Sequence, residues 1–321
     1  MPRRRNVLSP EQIVAPGTEY VPPRDYDAAV DAFIRDCRIR NLSEYTIRFY
    51  RNELSGLRKL LEADGRDSNP VSVTAKDIKE RVILRMMNEG RKESAINARL
   101  RACRAFFNFL ERERMIPVNP MDSVTLVKQK RRVIETFTRE QIQALLRQPN
   151  QKTFTGIRDY TMLLLLFETG VRVKELVNIR VDDVRLEDGM IRIRDPKGSR
   201  ERLVPFQSKM KRQLMRYLSI RGKSDCDHLF ITLDDTPVAV RSFQERMAEY
   251  GKKAGIENVR CSPHTARHTF AKMYIQNGGD AFSLQKILGH TSLEMTRVYV
   301  ELFSNDVARA HSKVSPVERL L

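Results

Sequence analysis

The chain has 321 residues, of which 41% are hydrophobic, and its 58 Lys and Arg residues against 41 Asp and Glu give a net charge of +17. This length predicts about two domains, each able to bury a core, and the longest apolar run, at residues 162–167, is too short to span a bilayer. Both halves share the excess positive charge, which excludes a simple basic tail and favours a long polyanion, such as nucleic acid, as the partner.

The cysteines and the N-terminus indicate the compartment. Cys37, Cys103, Cys226 and Cys261 show no CxxC spacing, which predicts free thiols in a reducing environment. No apolar signal segment follows the basic N-terminus, so the expected location is the cytoplasm. The absence of Trp and of a lipidation motif disfavours an anionic membrane as the partner.

The first half of the chain reads as an arm and a helical domain. Residues 1–22 contain four prolines and little periodicity, which predicts a flexible or extended arm. Residues 23–124 are predicted to form a domain of four helices, because apolar residues recur there at three- and four-residue steps. Ser43 and Thr74 stand where the N-caps of two of these helices are expected. The predicted helices span residues 25–37, 43–63, 74–90 and 94–113.

Basic side chains of the last of these helices, and of the linker after it, are candidates for contact with nucleic acid. Two prolines at residues 115–122 break the helical pattern, and residues 125–137 read as an exposed linker. The helix contributes three arginines that lie largely off its apolar face. The candidates are Arg99, Arg101 and Arg104 on the helix and Lys128, Lys130, Arg131 and Arg132 in the linker.

Residues 138–321 are predicted to form a second domain of mixed structure. Thr138 and Gln141 fit a capping box, and a buried helix at about 156–169 ends at Gly170. Alternation of apolar and charged residues predicts two strands, joined by a turn at DPKGS, and a third short strand, before the pattern becomes helical from about residue 240. The predicted strands are 190–194, 200–206 and 228–232. The expected fold class is therefore mainly α with a small antiparallel β-sheet in the second domain.

The second domain also carries five dispersed motifs: Arg172 in TGVRVKEL, Lys197 in DPKGSR, His264, Arg267 and His268 in HTARH, His290 in LGH, and Tyr299 in TRVY. Taken singly, each has an ordinary structural explanation. Arg172 fits a surface cation paired with Glu175, and a lysine in a turn is usually solvated. A tyrosine on an apolar stripe is most often part of a core.

HTARH allows two readings when it is taken alone. Two histidines four residues apart on a helix could hold zinc, and three cationic side chains on one turn could bind a phosphate. The zinc interpretation is weak, because no Glu lies between the histidines as in HExxH and no third ligand is evident. Arg267, between them, would also repel a dication.

The five motifs together, in this order and spacing, resemble those of the tyrosine recombinases, the phage-integrase family. The resemblance covers both domains and implies a helical core-binding domain followed by a catalytic domain. Two positions depart from the usual pattern. Ala266 replaces a larger apolar residue, and the turn reads KGSRER, which leaves Lys197 as the natural match to the catalytic lysine and Arg200 as the lesser one.

The resemblance implies a reaction in which Tyr299 attacks a DNA phosphodiester and becomes a 3′-phosphotyrosine. Its phenol is a poor nucleophile until cations or a base favour loss of the proton, since its ordinary pKa is about 10. Arg172 and Arg267 would hold the phosphate, and His264 and His290 would add hydrogen bonds. The resemblance implies His264 as the base, Lys197 as the general acid, and Glu175 and His268 as supporting groups. The scheme requires no metal and no cofactor.

The same resemblance implies double-stranded DNA as partner, with a tetramer assembled on two recombination sites. The two-domain organisation is similar to Xer-like and transposon-type members, and the arm at 1–22 favours integration or excision of a mobile element. Resolution of chromosome or plasmid dimers is the alternative. Two further alternatives remain, a type IB topoisomerase and a non-catalytic DNA-binding protein.

Overall fold

The computed structural model describes residues 20–63, 65–129, 135–194, 201–289 and Tyr299. The chain divides into two compact units, Met1–Arg132 and Val133–Leu321, so the division falls within the linker expected at 125–137. In the described part, no helix is both long and apolar enough to cross a membrane. We describe each unit by itself.

Among its described residues, the first unit contains four helices, and two of them start at the predicted caps. Ser43 accepts a hydrogen bond from the Thr46 N–H at the start of the second helix. Thr74 and Asp77 form a capping box at the start of the third, whose middle is π-helical, a feature that the apolar pattern does not encode. The helices are α1 (Tyr26–Ile39), α2 (Glu44–Glu62), α3 (Ala75–Asp77, Ile78–Leu84 and Arg85–Asn88) and α4 (Glu93–Arg112).

Aromatic side chains fill the centre of this unit. Phe33 of α1 lies edge-on to Tyr50 of α2, with ring centroids 5.1 Å apart, and edge-on to Phe106 of α4, at 5.7 Å. Full burial of a side chain of this size contributes about 1.5–3 kcal/mol, so this contact ties three helices together. The apolar face predicted for α4 is the buried one.

The second unit is built around one buried helix, α6, against which α8 and α10 pack. Helix α6 ends at Gly170, as the sequence predicts, and this glycine has the left-handed backbone conformation with φ of 61°. Thr138 and Gln141 form the expected capping box. The helices are α5 (Arg139–Leu146), α6 (Phe154–Thr169), α7 (Val173–Val177), α8 (Ser208–Arg221), α9 (Val240–Lys253), α10 (Pro263–Gln276) and α11 (Ala281–Leu288), with a 3₁₀ turn at Val181–Asp183.

In the described part of this unit, the sheet has three antiparallel strands in the order β1-β2-β3: β1 (Val184–Arg185), β2 (Met190–Ile193) and β3 (Arg202–Pro205). Ile191 is the middle of the sheet and pairs with Val184 on one side and Val204 on the other. The prediction of β2 and β3 is confirmed, with each strand shorter than expected.

The prediction of a third strand at residues 228–232 is wrong. These residues form only isolated bridges, and the third strand is β1, which the sequence pattern did not indicate. The segment is apolar because Leu229 and Phe230 lie in the core. The Leu229 backbone is paired outside the sheet, since its N–H donates to the Ile179 carbonyl and its carbonyl accepts from the Tyr217 hydroxyl. Burial, rather than sheet pairing, accounts for its composition.

Candidate active site

Helix α10 carries the HTARH motif, and capping residues fix its start. Ser262 is the N-cap and accepts a hydrogen bond from the Thr265 N–H at 3.2 Å, with Pro263 in the first helical position. The Thr269 hydroxyl of the same helix accepts from the Phe137 N–H at 2.9 Å. This bond anchors α10 to the first described residues of the second unit.

Arg267 lies at the centre of the site and is 5% exposed. Its Nη1 donates to the Gly170 carbonyl at 2.7 Å and its Nη2 to the Leu288 carbonyl at 2.8 Å. These are carbonyls at the C-terminal ends of α6 and α11, where a helix lacks internal donors and its dipole favours a cation. Burial, followed by repulsion from Arg172, lowers the pKa of Arg267 to about 10, so it remains charged at neutral pH.

Tyr299 contacts the second histidine of the motif. Its hydroxyl lies 2.6 Å from His268 Nδ1, and the residue is 5% exposed. Burial, then the charges of His264 and Arg267, lower the pKa of His268 to about 4, so one ring nitrogen is unprotonated at neutral pH and can accept the phenol proton in a hydrogen bond. Burial raises the pKa of the Tyr299 phenol, and Arg267 opposes that rise.

His264 lies one turn before His268, and their ring centroids are 4.2 Å apart in an edge-on arrangement. Unlike His268, it is exposed, and a substrate can reach it. Partial burial, Arg267 and Arg260 lower the pKa of His264. Its position fits a group that approaches a substrate while His268 holds Tyr299.

The zinc interpretation gains no support from this geometry. Over the described ranges, the single group of three residues with metal-ligating side chains in reach of one another is Cys226, Asp227 and His228. It includes neither His264 nor His268. The Nδ1 of His268 is also directed at the Tyr299 hydroxyl.

Arg172 stands at the N-cap of α7 and is half exposed, with 44% of its side chain accessible. Glu175 accepts both from its backbone N–H, at 2.8 Å, and from its Nη1, at 3.0 Å. The ion pair expected of an ordinary surface arginine is therefore present, and it holds Arg172 close enough to Arg267 to lower the latter's pKa. Burial alone would raise the pKa of Glu175, but hydrogen bonds from Arg202 and Arg172 hold it below its ordinary value.

Arg202 belongs to the site and was missed by the sequence analysis. Its side chain, on a strand predicted from alternating apolar and charged residues, is only 15% exposed and forms a two-pronged ion pair with Glu175. The signal for this contact lies 27 residues away along the chain, and strand periodicity alone does not reveal it.

Several predicted residues lie outside the described residues. They are Lys197, Arg200, His290, Lys130, Arg131 and Arg132.

The arginines of α4 divide into two groups. Arg99 donates to Glu53 at 2.7 Å with 15% of its side chain exposed, and Arg104 donates to the Val124 carbonyl at 2.6 Å. Both side chains therefore help to hold the first unit together. Arg101 and Lys128 are exposed. Contact of all four residues with DNA stays a prediction, and the exposed pair offers the more accessible charge.

Comparison with known proteins assigns the chain to a family. Residues 135–305 match the phage integrase family, and residues 30–114 match the phage integrase N-terminal SAM-like domain. Tyrosine recombinase XerC of Oceanobacillus iheyensis is 32% identical over 299 residues, which cover 89% of this chain and 95% of that protein. Tyrosine recombinase XerD of Shewanella oneidensis is 29% identical over 296 residues, covering 90% and 97%.

Solved structures show the same fold at lower identity. The Tn1549 transposon integrase in complex with a circular intermediate DNA has a TM-score of 0.71 at 21% identity, covering 91% of this chain and 99% of that one. XerH site-specific recombinase bound to a palindromic difH substrate has a TM-score of 0.72 at 18% identity, covering 90% and 85%. With its family matches and its curated relatives, the chain belongs to the phage integrase family of tyrosine recombinases, which are DNA strand-transferring enzymes.

Proposed function

We propose that this chain is a site-specific recombinase that cuts one DNA strand, holds the end on Tyr299 and rejoins it to a partner duplex. The contact that carries the proposal is the 2.6 Å approach of the Tyr299 hydroxyl to His268, one residue after the buried cation Arg267. A phenol beside a neutral acceptor and a fixed guanidinium has the parts of a nucleophile for phosphoryl transfer.

The bonds that form and break belong to the DNA and Tyr299, and other side chains of the enzyme move the protons. The Tyr299 oxygen attacks the scissile phosphorus, a P–O bond to tyrosine forms, and the P–O5′ bond breaks. The phenol proton passes to the enzyme, and the leaving 5′-oxygen takes up a proton, which the family resemblance assigns to Lys197. A 5′-hydroxyl of the partner strand then gives its proton to the enzyme and attacks the phosphotyrosine, and the released Tyr299 oxygen takes a proton back. Arg172 and Arg267 neutralise the non-bridging oxygens.

The two histidines divide the work at the phenol. His268 holds the Tyr299 hydroxyl in place, because its Nδ1 contacts that hydroxyl and its imidazole is neutral above a pH of about 4. His264 is the exposed member of the pair and acts as the base once DNA is bound, as the family resemblance implies. Because the His264 and His268 rings are in edge-on contact, the protonation state of one ring affects the pKa of the other.

The experiment is covalent capture on a nicked duplex. Sequences bound by the protein are first selected from a random-sequence library, and the selected site is then prepared with a nick beside the cleaved bond, so that the released fragment diffuses away. Wild-type protein is expected to give a covalent adduct on a denaturing gel, and Tyr299→Phe none. Tyr274→Phe, on the same helix as HTARH, is the matched control and is expected to give the wild-type amount.

The outcomes separate the alternatives. An adduct of undiminished amount with Tyr299→Phe, or none with wild type, contradicts the proposal and leaves a DNA-binding protein. Relaxation of plasmids that lack the selected site indicates a type IB topoisomerase. An adduct that forms at the same rate in EDTA is expected, because no step uses a metal.

We further propose that four chains act on two sites and that the sites are the ends of a mobile element. Resolution of chromosome or plasmid dimers stays the second candidate, since curated relatives carry the names XerC and XerD. Native mass spectrometry of protein with the selected duplex is expected to give four chains with two duplexes. Mapping the cleaved sites on the genome of its own host is expected to find the boundaries of an element. A single site on each chromosome copy would indicate dimer resolution instead.

A further inference from the structure

Arg202 makes three sets of contacts that join separate motif segments. Its Nη1 and Nη2 donate to the two oxygens of Glu175 at 3.1 Å and 2.7 Å, and its Nε donates to the Ile287 carbonyl at 2.7 Å. A Cβ at Gly289 would lie 2.9 Å from Nη1 of Arg202, so the guanidinium lies against the backbone next to the LGH motif. One side chain on β3 therefore contacts both α7 and the end of α11.

Every hydrogen-bond acceptor position of the Glu175 carboxylate is occupied in this arrangement. Oε1 accepts from Nη1 of Arg172 and Nη1 of Arg202, and Oε2 accepts from the Arg172 N–H and Nη2 of Arg202. An ionised carboxylate offers about four acceptor positions, so all of them are occupied. Arg172 is consequently bound to Glu175 through one guanidinium nitrogen instead of two.

The way in which Arg172 is held determines how much of the electric field of its charge reaches the substrate. With both of its terminal nitrogens on Glu175, Arg172 would form a two-pronged ion pair, which is the strong form of this contact and cancels most of its field. Arg172 is held by a single guanidinium nitrogen and is 44% exposed, and no described residue takes its other terminal nitrogen, which is left for an anion. Arg202 provides the competing two-pronged partner that maintains this state.

We propose that Arg202 is a positioning residue for strand cleavage, which occupies Glu175 and thereby leaves one terminal nitrogen of Arg172 for the scissile phosphate. The proposal rests on the proposed function, because it assigns a task to Arg172 in that reaction. It goes further in assigning a role to Arg202, the last residue of the KGSRER turn, to which the resemblance gave none. Arg202 itself does not touch the DNA.

The test measures single-turnover cleavage of the nicked duplex and, separately, the dissociation constant for the uncleaved duplex. Arg202→Met is expected to slow cleavage about 100-fold while binding changes less than about threefold, because Arg172 turns onto Glu175. Arg202→Met combined with Glu175→Gln is expected to cleave about tenfold faster than Arg202→Met alone. The reason is that a neutral amide does not cancel the electric field of the Arg172 charge. A residue with a merely structural role would give the double variant the lower rate.

Arg192→Met is the matched control. Arg192 lies on the neighbouring strand and donates to the buried carboxylate of Asp183 at 2.8 Å, so its loss breaks a comparable ion pair outside the site. It is expected to lower stability and leave cleavage at the wild-type rate. Arg202→Lys, which keeps the charge and one hydrogen bond, is expected to be intermediate and serves if Arg202→Met does not fold.

The outcomes distinguish this proposal from the proposed function. Wild-type protein that forms no adduct contradicts the proposed function itself. An adduct from wild type, with Arg202→Met at the same rate or with the double variant slower than Arg202→Met, contradicts only the role of Arg202.

Discussion

At the scale of single residues, the site is a set of cations and neutral acceptors whose states are fixed by burial. Arg267 keeps its charge although its pKa falls to about 10, because its donors are satisfied by two helix-end carbonyls. His268 is held neutral by the same burial and by the charges beside it. The site therefore presents a permanent cation and a permanent acceptor at neutral pH, and the phenol of Tyr299 lies against the acceptor.

The neutrality of His268 predicts a loss of stability on acidification. Its folded pKa of about 4 lies below the ordinary 6.5, so the unfolded chain binds a proton first, and the free energy of unfolding falls as pH falls from about 6.5 towards 4. His268→Gln removes this dependence. The stability advantage of wild type over the variant is expected to shrink by about 1 kcal/mol between pH 7.5 and pH 5, after allowance for partial solvent screening.

Urea unfolding at the two pH values measures this difference. His264 and the carboxylates are present in both proteins, so their titration cancels in the comparison. Wild type and His268→Gln that lose stability in parallel would show that His268 is not held neutral in the folded chain.

At the scale of elements, the C-terminal ends of helices form part of the site, and the glycines that end those helices determine its position. Gly170 and Gly289 both have positive φ, of 61° and 66°, so α6 and α11 stop with carbonyls directed at Arg267. The sequence marks these ends, since each glycine comes within three residues of the last apolar residue of its helix. It does not show that the two ends meet at one guanidinium, because that depends on packing between helices distant in sequence.

Gly170→Ala is expected to damage the site through its position at such an end. An added Cβ would lie 2.4 Å from Phe270 and 2.9 Å from Leu288, and Leu288 carries the second carbonyl that holds Arg267. We expect a loss of about 2–4 kcal/mol from strain and overpacking together, and cleavage slowed about 100-fold as Arg267 shifts. Thermal unfolding and the nicked-duplex assay give the two quantities.

Gly255→Ala is its control in the same unit. Gly255 has φ of 66°, but no atom lies within 4 Å of its added Cβ, so only the backbone strain of about 1 kcal/mol is expected. Cleavage by Gly255→Ala should equal wild type. If both variants lose the same stability and cleave alike, the contacts around Gly170 do not hold Arg267.

The elements also show where prediction from sequence succeeds and where it ends. Helix starts at Ser43, Thr74 and Thr138 are confirmed, because a cap depends on residues adjacent in sequence. The strand expected at residues 228–232 is wrong, because an apolar segment looks the same whether it pairs in a sheet or packs in a core. Arg202 was missed for a related reason, since alternation on β3 does not record a carboxylate on α7.

At the scale of the whole molecule, a charge of +17 is the property that draws the protein to DNA, but the charges are not equivalent. Arg99 and Arg101 lie two residues apart on α4 and differ in their contacts. Arg99 is paired with Glu53, whereas Arg101 is exposed. Composition counts both, so the number of phosphates contacted is smaller than the number of basic residues.

This difference predicts opposite effects of two matched substitutions. Arg101→Gln is expected to reduce the slope of log affinity against log salt by about 1, since one phosphate contact is lost, and to leave the melting temperature unchanged. Arg99→Gln is expected to lower stability by about 1–2 kcal/mol, because Glu53 loses its partner, and to leave the slope unchanged. Binding titrations between 50 and about 200 mM salt measure the slope. A slope reduced by Arg99→Gln and not by Arg101→Gln would show that α4 meets DNA through its paired face.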